Sequence, residues 1–223
     1  MKPIFVFASW GKVFLLSVIV MLLCQGAANC DDKPDPVKDY YSLITRLKSG
    51  DTSVDYEKLR YSFAQTKEYD PYGKYPEERK AMLKALDNKE YEAAVNHAHA
   101  VLAKNYLDME SHFVCSIAYR EDGNAKMNAF HTTVLKGLIG SLYRSGNGQS
   151  QETAYIVIST DEEYFMFNMN GYRTIRQSLT EKNGMHFDKM EVENEKSGVK
   201  STIYFNVEFP YRWINYKHKG SSD

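Results

Sequence analysis

The sequence predicts an α+β protein: tetratricopeptide-like antiparallel helix pairs packed on a small, mainly antiparallel C-terminal β-sheet. Three observations predict it. Over 37–144 apolar residues recur at helical spacing. Beyond the turn Ser145-Gly-Asn-Gly-Gln-Ser150 the pattern changes to short β-branched and aromatic runs. Between the helices stand short polar turns such as Gly123-Asn124, the punctuation of stacked helix pairs.

The elements follow in order. Val37, Tyr40, Tyr41, Ile44 and Leu47 predict a helix over 37–48, closed by Gly50. Tyr56, Leu59, Phe63 and Ala64 predict a second over 55–65. Tyr69-Asp-Pro-Tyr-Gly-Lys-Tyr-Pro76 is a turn-rich aromatic loop. Helices are expected over 77–86, 89–104, 108–121 and 126–143. Ala118–Ala129 resembles the turn of a tetratricopeptide repeat, enough for one or two repeat-like units. In the sheet region, 153–159 is apolar on both faces, which predicts a central strand. Thr160-Asp-Glu-Glu163 matches a capping box that opens a short helix to Asn170, stopped by Gly171. Strands are expected over 172–179, 186–192 and 201–207, with hairpin turns at Asn183-Gly184 and Ser197-Gly198. Pro210 should end the sheet, leaving 211–223 as a flexible tail.

The chain has 223 residues and a formal net charge of −1. Lys2 and Lys12 flank an apolar core at 13–23, and Gly26-Ala27-Ala28 supplies small residues for cleavage. Residues 1–28 therefore read as a secretory signal, with 29–36 a charged linker. The export is to a periplasmic or extracellular space; an uncleaved membrane anchor is the alternative. Leu23 and Asn29, before Cys24 and Cys30, fit a lipoprotein signal poorly. Loss of Lys2 and Lys12 leaves 26 basic against 29 acidic residues, a net of −3. So weak a field excludes nucleic acid as a partner. Cys115 lies in an apolar helical pattern and reads as a buried free thiol, not as a partner of Cys30.

Candidate site residues gather around the Gly-rich turn. Ser145 to Ser150 is no phosphate loop: Gln149 stands where lysine is required, and the turn runs from helix to strand. Gly146 and Gly148 read as reversal glycines whose neighbouring amides could act as donors. His112 shares a helical stripe with Cys115, Ser116 and Tyr119, and His131 sits on an apolar helix face. Both imidazoles need hydrogen-bond partners if buried. His186 and Asp188 share a strand face, so Asp188 could orient His186 as a base. Glu162 completes the candidate set. His97 and His99 lie about 200° apart around their helix and cannot share an ion. No cysteine or histidine spacing of the metal-binding kind occurs, so neither a metal nor another cofactor is expected.

A resemblance rests on an ordered set of short elements. These are Leu59-Arg-Tyr61, Tyr69-Asp-Pro-Tyr72, Ala103-Lys-Asn-Tyr106 with Asp108 and His112, and Phe130-His131 with Gly137-Leu138. Ser145-Gly-x-Gly-x-Ser150, Glu162-Glu-Tyr164, Gln177-Ser178 and Tyr204-Phe-Asn206 continue it. Together they resemble the uncharacterised, mainly bacterial family called domain of unknown function 4919, over about 37–207. The resemblance implies export and tetratricopeptide-like helices, and no activity or cofactor. The family turn reads Ser-Gly-Asp-Gly-Lys-Ser; here Asn147 and Gln149 replace both charged residues. Asn tolerates the same backbone conformations as Asp, so a structural turn would be unaffected.

Three functions fit the sequence. The first is an exported binding module for protein or peptide, its cleft at the helix–sheet junction formed by His112, His131, Ser145, Gly146, Gly148, Ser150, Glu162 and His186. The second is a hydrolase or transferase using His186 and Asp188 with Ser145 or Ser150 as nucleophile. The third is a structural envelope component.

Overall fold

The structure, a computed structural model, describes residues 34–73 and 75–220. The expected signal over 1–28, its cleavage point and Cys30 lie outside the described residues. Among the described residues no helix is long and apolar enough to cross a membrane.

Helix α1 spans Pro36–Lys48 and α2 spans Tyr56–Phe63. Asp55 starts α2: its carboxylate accepts the Lys58 amide at 2.9 Å, satisfying one donor that the first turn leaves open. Helix α3 (Pro76–Asp87) begins with a proline where the missing N–H costs nothing. Then come α4 (Tyr91–Lys104), α5 (Met109–Glu121) and α6 (Ala125–Arg144). Asp108 caps α5 through the Ser111 amide, and Asn124 caps α6 through that of Met127. Neighbours in sequence are neighbours in space: α3 packs on α4, α4 on α5 and α5 on α6. Small residues allow this close approach, with Ala94, Ala98 and Ala118 buried beside Met82, Val114 and Cys115.

Strands β1 (Tyr155–Ile156), β2 (Tyr172–Lys182), β3 (Met185–Asn194) and β4 (Lys200–Asn206) form one sheet in the order β1-β4-β3-β2. β1 runs parallel to β4 and the other pairs are antiparallel. Asn183 and Gly184, at φ 52° and 74°, turn β2 into β3 as the expected hairpin. Helix α7 (Thr160–Asn170) lies between β1 and β2, ended by Gly171 at φ 64°. The helical and sheet regions share their cores. Ile158 and Phe165 join Leu59, Phe63 and Leu138 in one cluster, and Leu142 of α6 joins Phe167, Met190 and Phe205 in another.

Three local expectations are corrected. The run 153–159 is not a central strand but a two-residue edge. It is apolar on both sides because Ala154, Val157 and Ile158 are buried as irregular chain under the helices. The cap of α7 is shifted by one: Ser159 is the N-cap, and Glu162, not Glu163, reaches back to the Ile158 amide at 2.9 Å. The expected flexible tail over 211–223 is instead mostly helix α8 (Glu208–Gly220). Pro210 falls in its first turn, where no intrahelical N–H bond is lost. Asn206 caps that turn through the Glu208 amide at 3.0 Å.

Candidate functional site

The junction of helices and sheet is closed around Arg60, which is 0% exposed. Its Nε and one Nη donate to both carboxylate oxygens of Glu162, at 2.8 and 2.6 Å. The same Nη reaches the Ile156 carbonyl at 2.9 Å and the other reaches Ser141 Oγ at 3.2 Å. The hydroxyl of Tyr69 donates to the Ile158 carbonyl at 2.6 Å. Glu162 is thus one half of a buried fork joining α2, α6, β1 and α7. Beside it lies a narrow cavity of 160 Å³ whose one cation, Arg79, is shared among three carboxylates. There Arg79 holds Glu110 at 2.8 Å, Asp161 at 2.7 Å and Asp108.

The Gly-rich turn is engaged with its own surroundings. The amides of Asn147 and Gly148 both donate to the Thr153 carbonyl, at 2.9 and 2.8 Å, and that of Gln149 donates to Asn147 Oδ1. Ser145 Oγ donates to the Leu142 carbonyl at 2.6 Å and accepts the Ile156 amide at 2.8 Å. Ser150 Oγ lies 3.3 Å from Thr153 Oγ1. A methyl group at Gly146 would collide with the carbonyl oxygens of Thr153 and Ala154. The turn clips α6 to β1 and β4, and the amides of Asn147, Gly148 and Gln149 are taken up within it.

His186 is oriented, but not by Asp188. Its Nδ1 and its amide both lie 3.1 Å from Glu208 Oε2, and its ring stacks on Tyr211 at 3.4 Å. Asp188 accepts from Gln177 Nε2 at 2.7 Å, across the strand pair. Glu208 opens α8, where the sequence reading expected only the end of the sheet, so this partner was missed. Beside Asp188, Glu163 is fully buried with neither carboxylate oxygen hydrogen-bonded. Burial, then Asp188 and Glu162, push its carboxyl well above the usual range.

His112 and His131 do come together, inside the helical region and away from the turn. Their Nδ1 atoms are 2.9 Å apart. His112 Nε2 lies 2.9 Å from the Tyr106 carbonyl oxygen, which only accepts, so that nitrogen carries a hydrogen. Burial lowers the His112 pKa to about 4, leaving the ring neutral and its Nδ1 an acceptor. The hydrogen between the rings therefore belongs to His131 Nδ1. Burial, then His112 and His99, lower the His131 pKa to about 3, so this ring is neutral too. Its Nε2 keeps a bare lone pair, buried and without a hydrogen-bond partner.

Two further side chains lie close to this ring. Cys115 Sγ, a ring nitrogen of His99 and one of His131 lie within 4.8 Å of one another. Tyr119 stacks on the His131 ring at 5.6 Å, and the His99 ring lies 6.1 Å from it at a small angle. Burial raises the Cys115 pKa to about 12, so alone it is a poor nucleophile. The expectation of no ligating set rested on spacing along the chain. This set is drawn from α4, α5 and α6, and His99 was missed because only the packing of three helices brings it in.

His99 and His131 line a cavity of 760 Å³. Its walls are the end of α1 at Lys48, α4 at Leu102, Tyr106, and the start of α6 at Lys126, Met127 and Phe130. Lys48 Nζ stands 4.8 Å over the Tyr106 ring. The eight residues expected to form one cleft are dispersed: His112 and His131 meet in the helical region, the four turn residues stay at the α6–β1 junction, Glu162 pairs with Arg60 and His186 with Glu208.

No curated protein and no solved structure matches the chain. The sequence pattern of one family, described as a domain of unknown function, fits residues 34–215 with both the helical region and the sheet inside it. The chain belongs to this family, DUF4919.

Proposed function

We propose that this protein is exported and binds a ligand without transforming it, and that the cavity between α1, α4 and α6 is its seat. The observation that carries the reading is the cavity itself. Its 760 Å³ fall within the range of small-ligand pockets, roughly 300–1,000 Å³. Leu102, Tyr106, Met127 and Phe130 offer an apolar wall, and Lys48 and Lys126 put two cations on its rim. This suits an apolar or aromatic group with an anionic end, such as a peptide side chain beside a carboxylate. The packing of α3 on α4, α4 on α5 and α5 on α6 supports a tetratricopeptide-like reading, a class of fold that presents such surfaces to peptides. Export rests on the apolar segment at 13–23 and the small residues before Asn29. The hydrolase reading has less support, because the hydroxyl hydrogen of Ser145 is given to a carbonyl and His186 is held by Glu208.

Anilinonaphthalene sulfonate is an apolar anion and serves as the probe. The folded protein should bind it saturably at one site. Ala129→Trp fills the cavity from an exposed helical position and should abolish binding with the fold intact. Lys126→Glu should weaken it. No saturable binding, or binding that Ala129→Trp leaves unchanged, would overturn the reading and favour a purely structural envelope role.

A further inference from the structure

We propose that His99, Cys115 and His131 bind one divalent transition-metal ion, with zinc the best match, at the wall of this cavity. Only these three side chains and His112 take part, whether or not the cavity also takes an organic ligand.

The donor set comes first. Two imidazoles and one thiolate match the nitrogen and sulfur preference of zinc, at about 2.0–2.1 Å for nitrogen and about 2.3 Å for sulfur. The three ligand atoms already lie within 4.8 Å of one another. Tetrahedral coordination would draw them together by roughly an ångström. His99 is exposed, so its side chain is free to make that movement. Three protein ligands leave a fourth position, as in zinc sites that keep water or substrate on the metal. His99 and His131 line the cavity, so the fourth position would open onto it.

An independent observation points to a ligand. A buried polar atom normally has a partner, and His131 Nε2 has none in a ring that is 2% exposed. The hydrogen-bond chain explains why it is bare. The Tyr106 carbonyl holds His112 in one tautomer, and His112 holds the His131 hydrogen on Nδ1. Metal-bound histidines donate their second nitrogen in this way, which fixes the ring and raises its basicity. His112 is the positioning residue, and the Tyr106 carbonyl is its anchor. Binding forms two metal–nitrogen bonds and one metal–sulfur bond. The Cys115 thiol loses its proton to solvent and no oxidant is needed.

Cobalt(II) is the spectroscopic probe and zinc the competitor, each added alone to the full-length protein. One cobalt per chain should bind, with a thiolate-to-cobalt charge-transfer band and tetrahedral ligand-field bands that zinc removes. Cys115→Ser should abolish the charge-transfer band while thermal unfolding shows a folded protein. His112→Phe removes the acceptor for the His131 hydrogen and should weaken binding by about 10- to 100-fold. His112→Asn keeps an acceptor oxygen near that place and should recover part of the loss. His97→Ala, on another face of α4, should change nothing. Absence of the charge-transfer band, or a band that survives Cys115→Ser, would overturn the proposal. So would equal affinity in His112→Phe. Failure of the metal test leaves the sulfonate test unaffected, and the reverse also holds.

Discussion

Around Arg60 the chain buries a charge and engages nearly every polar group that comes with it. Around His131 it buries neutral rings and leaves one lone pair without a partner. Both clusters are assembled from several helices, and both bury polar side chains. At Arg60 four hydrogen bonds reach Glu162, Ser141 and Ile156. At His131 the chain of bonds runs from the Tyr106 carbonyl through His112 and ends at a bare nitrogen. A closed network has nothing left to offer a ligand; its role is to hold the fold together. An open one lowers the stability of the protein unless something completes it. The comparison separates the joint of this protein from its candidate site.

The largest effect should come from breaking the closed network. Arg60→Met leaves Glu162 buried without its counter-charge, which typically costs about 3–5 kcal/mol. That is a large share of the roughly 5–15 kcal/mol that holds a domain folded. The urea midpoint should fall accordingly. Arg60→Met combined with Glu162→Gln should recover part of the loss, because the stranded charge is gone. A loss below about 1 kcal/mol for the single variant would mean that water already solvates the pair.

How much the sequence disclosed follows from the range of each interaction. Helices α1 to α6 were legible because their signals are local: apolar spacing, with Gly50 and Gly123 just past the ends of α1 and α5. The hairpin at Asn183-Gly184 was legible for the same reason. The length of β1 was not, since a buried irregular segment and a buried strand are equally apolar. Helix α8 was hidden by Pro210, whose effect depends on whether it falls in the first turn or later. At the site, the meeting of His112 and His131 agrees with their shared need for buried partners. Their tautomers required the Tyr106 carbonyl, and His99 required the stacking of α4 on α5 and α5 on α6.

Glu163 is a second buried group left without partners, and it sharpens the comparison through pH. Its carboxyl binds a proton more tightly in the folded protein than in the unfolded chain, and so does that of Asp188. Above the unfolded value of about 4.3 the folded state therefore holds more protons. Stability should fall as pH rises from there through the raised folded values. Each unit of elevation corresponds to about 1.4 kcal/mol once pH exceeds it. Glu163→Gln removes the ionisation at nearly constant shape. It should match the parent near pH 4 and exceed it in stability near pH 8, by urea unfolding at both. A parent that gains stability over this interval relative to Glu163→Gln would mean that the carboxylate has an ionic partner.

The smallest effect on the fold is expected at His99, and it bears most directly on the difference between the clusters. Its side chain is exposed, and changes at such positions usually stay within about 0.5 kcal/mol. Without metal, His99→Ala should unfold at nearly the parent midpoint. With zinc at 100 times its dissociation constant, the parent should gain about 2.7 kcal/mol, because the ion binds the folded state alone. His99→Ala should gain much less, having lost one of three ligands. A structural histidine would behave in the opposite way: its loss would shift the metal-free midpoint, and zinc would raise both proteins equally. A residue that matters little to the empty fold and greatly to the occupied one is what an open network implies. Arg60, by contrast, should show its whole effect before any metal is added.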